Sequence, residues 1–321
     1  MNESILSSWL KIERQGSAKP VPVPSIEDWM SASRQDLARV VDGAQITVLV
    51  PSDGSRRHFL LRQLKQKNNS SEARDYLSAM GAQLVGLFRL LFSCGVKNIL
   101  CPILQSPNFE RGMDYIRTAA QSTSAVLAGE AFTRFYRDWN AEAHLYGGWD
   151  VLHGGEAVRE TLQALNQKFE AFPNPGSQRK ILYGFCPGTF VDEMCARVAL
   201  YATKNKTYPS AEQLRQACFP FGPDKLDLVI NTDLMRAGYI VPPVLDKGTH
   251  YYHLGYIPYD LSEQNLRQIL YDYLFVRHPE PQEGANYSEN ELARIQEAIA
   301  ENKNRVVGLG QRVGAGMWQI Q

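Results

Sequence analysis

Ile46-Thr47-Val48-Leu49-Val50-Pro51-Ser52-Asp53-Gly54-Ser55-Arg56-Arg57 is the stretch on which the reading of this chain turns. Its first five residues form a short aliphatic, β-branched run, and Pro51 to Gly54 close it, the pattern of a buried strand ending in a turn. Beyond this turn, strand and helix patterns alternate repeatedly. Glu72 to Phe92 carries apolar residues at 77, 80, 84, 87, 88 and 91, a helical spacing with one buried face. Asn98 to Leu104 reads as the next strand. Helices are expected near 111–127 and 129–139, a strand at Ala143 to Tyr146, a helix near 155–171, a strand at Lys180 to Phe185 and a helix near 190–205. Leu226 to Ile230 is another buried strand. Ser210, Ser262 and Ser288 read as helix N-caps, with Gln213 and Glu291 completing capping boxes. Strand–helix alternation of this kind implies an α/β fold, a parallel central sheet with helices on both faces.

The chain has 321 residues, no internal repeat and no strong linker. Residues 1–44 are polar and hold the PxPxP run from Pro20 to Pro24, so they read as an extended N-terminal arm. Residues 45–321 read as a single domain. Lys+Arg and Asp+Glu both number 34, which gives no support for a nucleic-acid coat or a polybasic membrane patch. No run reaches the roughly 18 apolar residues of a membrane span; Gly86 to Leu104 is interrupted by Arg89 and Lys97. Met1 to Gln15 lacks the basic-then-apolar pattern of a signal peptide. The five cysteines form no CxxC pair, which argues against a disulfide framework or zinc site. A cytoplasmic location, with no integral membrane segment and no nucleic-acid partner, is expected.

In parallel sheets ligands bind beyond the carboxyl ends of the strands. The Pro51–Arg57 turn lies there and concentrates useful chemistry. Gly54 allows close backbone approach, successive N–H groups can form an anion nest, and Arg56 and Arg57 supply planar forks for phosphate oxygens. Asp53 is an oxygen ligand suited to Mg²⁺. The same residues also fit a solvated bend with two surface arginines. The glycine-rich Gly308 to Gly316 lacks a strand–turn–helix context, and the histidines show no metal spacing; His250 and His253 sit in a tyrosine-rich run that reads as packing or surface.

Asp53-Gly54-Ser55-Arg56-Arg57 resembles the Asp-Gly-Asn-x-Arg signature of the cis-prenyltransferase (undecaprenyl diphosphate synthase) family. Ser106-Pro107-Asn108-Phe109-x-Arg111 is similar to its Ser-Glu-Asn-Trp-x-Arg. Asp227-Leu228-Val229-Ile230-Asn231-Thr232 is similar to its Asp-Leu-x-Ile-Arg-Thr. The three keep the family order, each read as following a predicted strand, over roughly residues 45–260. The third departs from it. Asn231 stands where elongating members have an arginine for isopentenyl diphosphate, Arg236 is one residue out of register, and Asp233-Leu234-Met235 replaces the expected glutamate. The chain is also similar to a divergent branch of diterpene synthases that yield alcohols of the tuberculosinol and kolavelool type. That similarity runs through Cys101–Leu104, Leu266–Asp272 and Arg305–Gly310.

The resemblance implies a reaction on an allylic bicyclic C20 diphosphate (kolavenyl or halimadienyl/tuberculosinyl type) made by a class II diterpene cyclase. It implies release of pyrophosphate with Mg²⁺ and capture of the cation by water. Gly54, Ser55, Arg56, Arg57, Asn108 and Arg111 would hold the diphosphate, Asp53 the metal. The branch places a tyrosine near the reacting carbon, which falls on Tyr76, preceded by Asp75; these two and Asp53 are the expected catalytic residues. Leu77, Met80, Leu84 and Phe88 would line a hydrocarbon tunnel, although the same positions also read as plain core. A homodimer is implied, with 190–205 and 262–277 as candidate surfaces through Val198, Leu200, Tyr201, Leu270, Tyr273 and Phe275. The alternatives are chain elongation with isopentenyl diphosphate and a non-catalytic subunit.

Overall fold

The computed structural model describes residues 23–52, 54–66, 73–152, 155–171, 177–232, 244–245, 248–277, 288–303, 305–314 and 317–320. The first described helices are α1 (Ile26–Ser31) and α2 (Arg34–Gly43), each started by a serine, Ser25 or Ser33, whose hydroxyl accepts from a backbone N–H three residues on. The extended arm expected up to residue 44 is therefore helical here. Trp29, Leu37, Val40 and Val41 are buried in the main core, and Trp29 Nε1 donates to the Arg267 carbonyl at 2.8 Å. Residues 1–22 lie outside the described set.

Strand β1 (Thr47–Leu49) leads through the turn to α3 (Ser55–Gln66) and α4 (Ala73–Ser93). Next come β2 (Asn98–Leu104), the short α5 (Ser106–Phe109), α6 (Met113–Leu127), α7 (Glu130–Asp138) and β3 (Ala141–Tyr146). Then α8 (Glu156–Glu170), β4 (Arg179–Phe185), α9 (Phe190–Asn205), α10 (Ala211–Cys218), β5 (Leu228–Thr232), β6 (His250–Leu254) and α11 (Glu263–Tyr271) complete the body. Helix α12 (Glu289–Asn302) and the hairpin of β7 (Gly310–Gly314) and β8 (Met317–Ile320) come last.

The six strands pair in parallel in the order β3-β4-β2-β1-β5-β6. Burial on both faces produces two cores that alternate along each strand. Val48, Ile99, Cys101, Ile181, Tyr183, Leu228 and Ile230 face the larger one. Leu49, Leu100, Leu182 and Val229 face the smaller. The larger core holds an aromatic cluster in which Phe88 meets Phe132, Phe135 and Tyr183 at centroid distances of 6.2–6.4 Å. The span Tyr76–Ser93 of α4 is apolar and long enough to cross a membrane by composition. Here its Leu84, Leu87, Phe88, Leu91 and Phe92 are core residues instead.

Leu270, Tyr273 and Phe275, expected on a dimer surface, are buried inside the larger core. Phe275 packs edge-on against Trp29 at 5.2 Å. The N-terminal helices cover that face, which removes these three residues from any surface. On α9, Leu200 is exposed, and Val198 and Tyr201 are half-buried.

Candidate functional site

Strand order reverses direction at β1: the chain moves from β1 to β2 on one side and reaches β5 on the other. The crevice beyond the carboxyl ends of β1 and β5 is therefore the topological switch point where such sheets bind ligands. Two segments enter it, the turn after β1 and the end of β5.

The turn is held on both sides. Ser52 donates its N–H and its hydroxyl to the Pro102 carbonyl, at 3.3 and 3.0 Å, pinning it to the end of β2. Gly54 adopts φ +76°, a left-handed conformation that glycine takes without penalty. A Cβ there would lie 3.2 Å from Ile257 Cγ2 and 3.4 Å from Arg57 Nη2. The Arg57 guanidinium thus folds back over the glycine. Helix α3 begins at Ser55, so the N–H groups of its first turn point toward the same place, a favourable setting for an anion. Asp53 itself lies outside the described residues.

Tyr76, in the first turn of α4, sits beside this turn. Its phenol oxygen is 2.9 Å from Ser55 Oγ, and its ring meets Phe59 edge-on at 5.6 Å. The structure therefore brings Gly54, Ser55, Arg57 and Tyr76 together. Arg56 is exposed on α3. Asp75 is on α4, with its side chain outside the described set. Leu77 and Met80, close to Tyr76, are half-buried, whereas Leu84 and Phe88 are fully closed in the core.

Asn108 and Arg111 come after β2, the neighbouring strand. Asn108 Oδ1 accepts from the Gln105 N–H at 2.8 Å, which closes a capping box around α5. Arg111 is exposed and donates to the Tyr115 hydroxyl at 3.1 Å, with its guanidinium 5.1 Å from that ring centre. Asn231, at the carboxyl end of β5, is 4% exposed, and its Oδ1 accepts from the Thr232 N–H at 2.8 Å. Arg236 and Asp233–Met235 lie outside the described residues. Asp227 belongs to the opposite end of β5. It accepts from the Thr47 N–H at 2.8 Å and the Tyr273 hydroxyl at 2.6 Å, tying the amino ends of two strands to the helical segment after α11.

A buttress behind the turn has no counterpart in the sequence reading. Tyr259 donates its hydroxyl to the Ser52 carbonyl at 2.8 Å. His58 is buried, with Nε2 3.1 Å from Asp260 Oδ1 and its ring against Tyr259. With Ile257 against Gly54, three residues of the segment after β6 brace both flanks of position 53. These contacts join residues some 200 positions apart, so no local pattern announces them.

A second charged group lies beyond the carboxyl end of β3. Arg197 bonds Glu193 at 2.8 Å, Asp150 at 2.9 Å and the Gly147 carbonyl at 3.2 Å. Burial pushes the Glu193 carboxyl up despite that guanidinium. A polar groove of about 480 Å³ lined by Gln45, Lys97, Asn98 and Lys180 lies at the amino edge of the sheet, away from the switch point. Its Lys97 ammonium is bonded to Gln178 at 3.2 Å and Asp42 at 3.4 Å.

No family model matches the chain. It is 26% identical over 283 residues to tuberculosinyl adenosine transferase of Mycobacterium tuberculosis, covering 86% of this chain and 90% of that protein. It is 24% identical over 305 residues to (+)-kolavelool synthase of Herpetosiphon aurantiacus, covering 91% and 94%. Among solved structures, it is similar to lavandulyl diphosphate synthase from Lavandula x intermedia, solved with dimethylallyl diphosphate, at a TM-score of 0.50 and 13% identity, covering 74% of this chain and 98% of that one. A probable undecaprenyl diphosphate synthase from Campylobacter jejuni matches at a TM-score of 0.50 and 16% identity, covering 75% and 98%. The chain is a divergent relative with the cis-prenyltransferase fold. Gly54–Arg57 and Asn231–Thr232, from the first and third stretches compared above with that family, lie at the carboxyl ends of the adjacent strands β1 and β5.

Proposed function

We propose that the chain is a diterpene synthase that ionises an allylic bicyclic C20 diphosphate and captures the cation with water, giving a diterpene alcohol such as kolavelool or tuberculosinol. The observation that carries the reading is the meeting of an anion cradle with a phenol. Gly54 at positive φ lies under the Arg57 guanidinium, and Ser55 is bonded to Tyr76. The similarity to a kolavelool synthase over most of both chains supports the substrate class. Asn231 in place of an arginine supports the loss of the site for a second diphosphate.

In this account the C–O bond of the allylic diphosphate breaks and its electron pair leaves with pyrophosphate. Arg57, Arg56 and the N–H groups at the start of α3 stabilise the charge growing on the leaving oxygens, with Asn108 and Arg111 assisting from the neighbouring strand. Leu77 and Met80 form the mouth of the hydrocarbon tunnel, and Leu84 and Phe88 its closed end. Tyr76 orients water, which adds to the allylic carbon and gives its proton to the Asp53 carboxylate. Asp75 remains a candidate for the same proton path.

Among the described residues no three His, Cys, Asp or Glu side chains converge as a metal cage. Asp53 would hold Mg²⁺ together with substrate phosphate oxygens, a hard oxygen set of the kind that ion prefers. When bound, the ion would neutralise charge on the departing diphosphate.

A second reading rests on the similarity to tuberculosinyl adenosine transferase: transfer of the prenyl group to a nucleophile other than water. Incubation with linear and bicyclic C15 and C20 diphosphates, alone and with adenosine or isopentenyl diphosphate, separates the readings. The proposal predicts a C20 alcohol from a bicyclic substrate without a second substrate. A prenylated adenosine would favour the second reading, and a lengthened chain would establish elongation.

A further inference from the structure

Helix α3 opens on the anion cradle and is tethered on two sides. One tether runs to α4, where Ser55 and Phe59 meet Tyr76. The other is His58, the one buried side chain among the described residues of α3. His58 also closes the first helical turn, its N–H donating to the Gly54 carbonyl at 2.9 Å. It lies about 4.5 Å along the helix axis from Ser55, so a shift at His58 is carried to the N–H groups that face the anion.

The partner side of this tether is rigid. Ile257, Pro258 and Leu261 are buried. A tight helical turn, Pro258–Asp260, leads directly to Ser262, the N-cap of α11. Within it the Asp260 N–H donates to the Ile257 carbonyl at 3.0 Å. Asp260 Oδ1 is 3.1 Å from His58 Nε2. A carboxylate oxygen only accepts, so Nε2 is the nitrogen that carries the hydrogen. Tyr259 meets the His58 ring edge-on at 5.7 Å and gives its hydroxyl to the Ser52 carbonyl at 2.8 Å. One short turn thus holds the chain before and after position 53.

Asp260 has the wrong charge for this neighbourhood. A carboxylate bonded one helical turn from a diphosphate site opposes the ligand by charge. What it supplies is an acceptor at a fixed point. We propose that His58 and Asp260 are positioning residues: their hydrogen bond sets the first turn of α3, so that its N–H groups and the Arg57 guanidinium meet the diphosphate in register. Neither residue touches the substrate. The inference rests on the reading of this turn as a diphosphate cradle.

The test is binding of inorganic pyrophosphate with Mg²⁺ to the full chain, measured by calorimetry on variants that circular dichroism shows to be folded. Pyrophosphate reports on the cradle whichever nucleophile completes the reaction, so this result is separate from the product assay. Asp260→Ala should weaken binding about fivefold, the size of one lost hydrogen bond. Asp260→Asn keeps an acceptor oxygen and should stay within about twofold of the wild type. His58→Leu should match Asp260→Ala, and His58→Gln, which keeps an N–H donor, should recover most of the loss. The double variant His58→Leu with Asp260→Ala should bind no worse than the weaker single, since both remove one bond. If His58→Leu does not fold, the two Asp260 variants decide alone, because that side chain is 59% exposed. Tighter binding by both Asp260→Ala and Asp260→Asn would mean that the carboxylate acts by charge alone. Wild-type affinity in folded Asp260→Ala would mean that the pair serves stability only. Either result overturns the proposal. A wild-type chain that binds no pyrophosphate would overturn the cradle, and the proposal with it.

Discussion

Tyr76→Phe removes one oxygen and leaves the ring, so the edge-on contact with Phe59 at 5.6 Å survives and the fold should be unaffected. The 2.9 Å bond to Ser55 Oγ, on the residue that opens α3 beside the anion cradle, disappears. A neutral hydrogen bond of this kind contributes about 0.5–1.5 kcal/mol. At roughly 1.36 kcal/mol per factor of ten, pyrophosphate release should slow by about two- to twelvefold. If the phenol also orients water, the product should move from alcohol toward elimination olefins. The assay measures pyrophosphate and terpene products in one reaction for the wild type, Tyr76→Phe, Ser55→Ala and the double variant. Because the two hydroxyls share one bond, the double variant should lose no more than the worse single. Unchanged rate and product in Tyr76→Phe, or losses that add, would refute the coupling.

The same geometry has other consequences. Gly54→Ala must place a side chain at φ +76°, at a cost of about 1–2 kcal/mol, and press on Ile257 and Arg57; calorimetry should show weaker pyrophosphate binding, only partly recovered by adding Ile257→Ala. Arg57→Ala should cost about 2.7–4 kcal/mol in transition-state stabilisation by analogy with oxyanion donors. Arg57→Lys should restore only part, because an ammonium lacks the planar fork; pyrophosphate inhibition constants test both. Bonding to Arg34 and then Arg267 holds the Glu263 carboxyl below its ordinary 4.5. A carboxyl depressed in the folded state stabilises above its unfolded value and loses that contribution as pH falls through the lower one. Urea unfolding should therefore show an acid loss of stability below about pH 4.5 that Glu263→Gln reduces in part, the rest coming from the Asp192, Glu212 and Glu291 carboxyls, which are lowered as well.

The sheet was legible because buried parallel strands are written as aliphatic runs. Asn98–Leu104 was readable to the residue, and the capping boxes at Ser210 and Ser288 are formed as their spacing implied. Four elements were hidden for identifiable reasons. Helix α3 buries only His58 among its described side chains and leaves its leucines exposed, so it carries no buried apolar face of the usual kind. Strand β6, His250–Leu254, is an edge strand made of tyrosine and histidine rather than aliphatic residues. Helix α1 buries only Trp29, and α2 carries a single short helical triplet, Leu37, Val40 and Val41, inside a polar stretch that was read as extended. The turn after β1 was readable as a cradle because a glycine, a serine and two arginines are adjacent. Its bracing by Ile257, Tyr259 and Asp260 was not, since only the folded sheet brings the ends of β1 and β6 within reach. The same burial turned Leu270, Tyr273 and Phe275 from expected surface residues into core.

The central claim is that the chain breaks a carbon–oxygen bond and lets water attack carbon. It is tested most directly by running the reaction on a bicyclic allylic C20 diphosphate in heavy-oxygen water, with mass analysis of both products. The account predicts one diterpene alcohol carrying the solvent's heavy oxygen for each unlabelled pyrophosphate released. Label in the released phosphate, with an unlabelled alcohol, would mean attack at phosphorus and would contradict it.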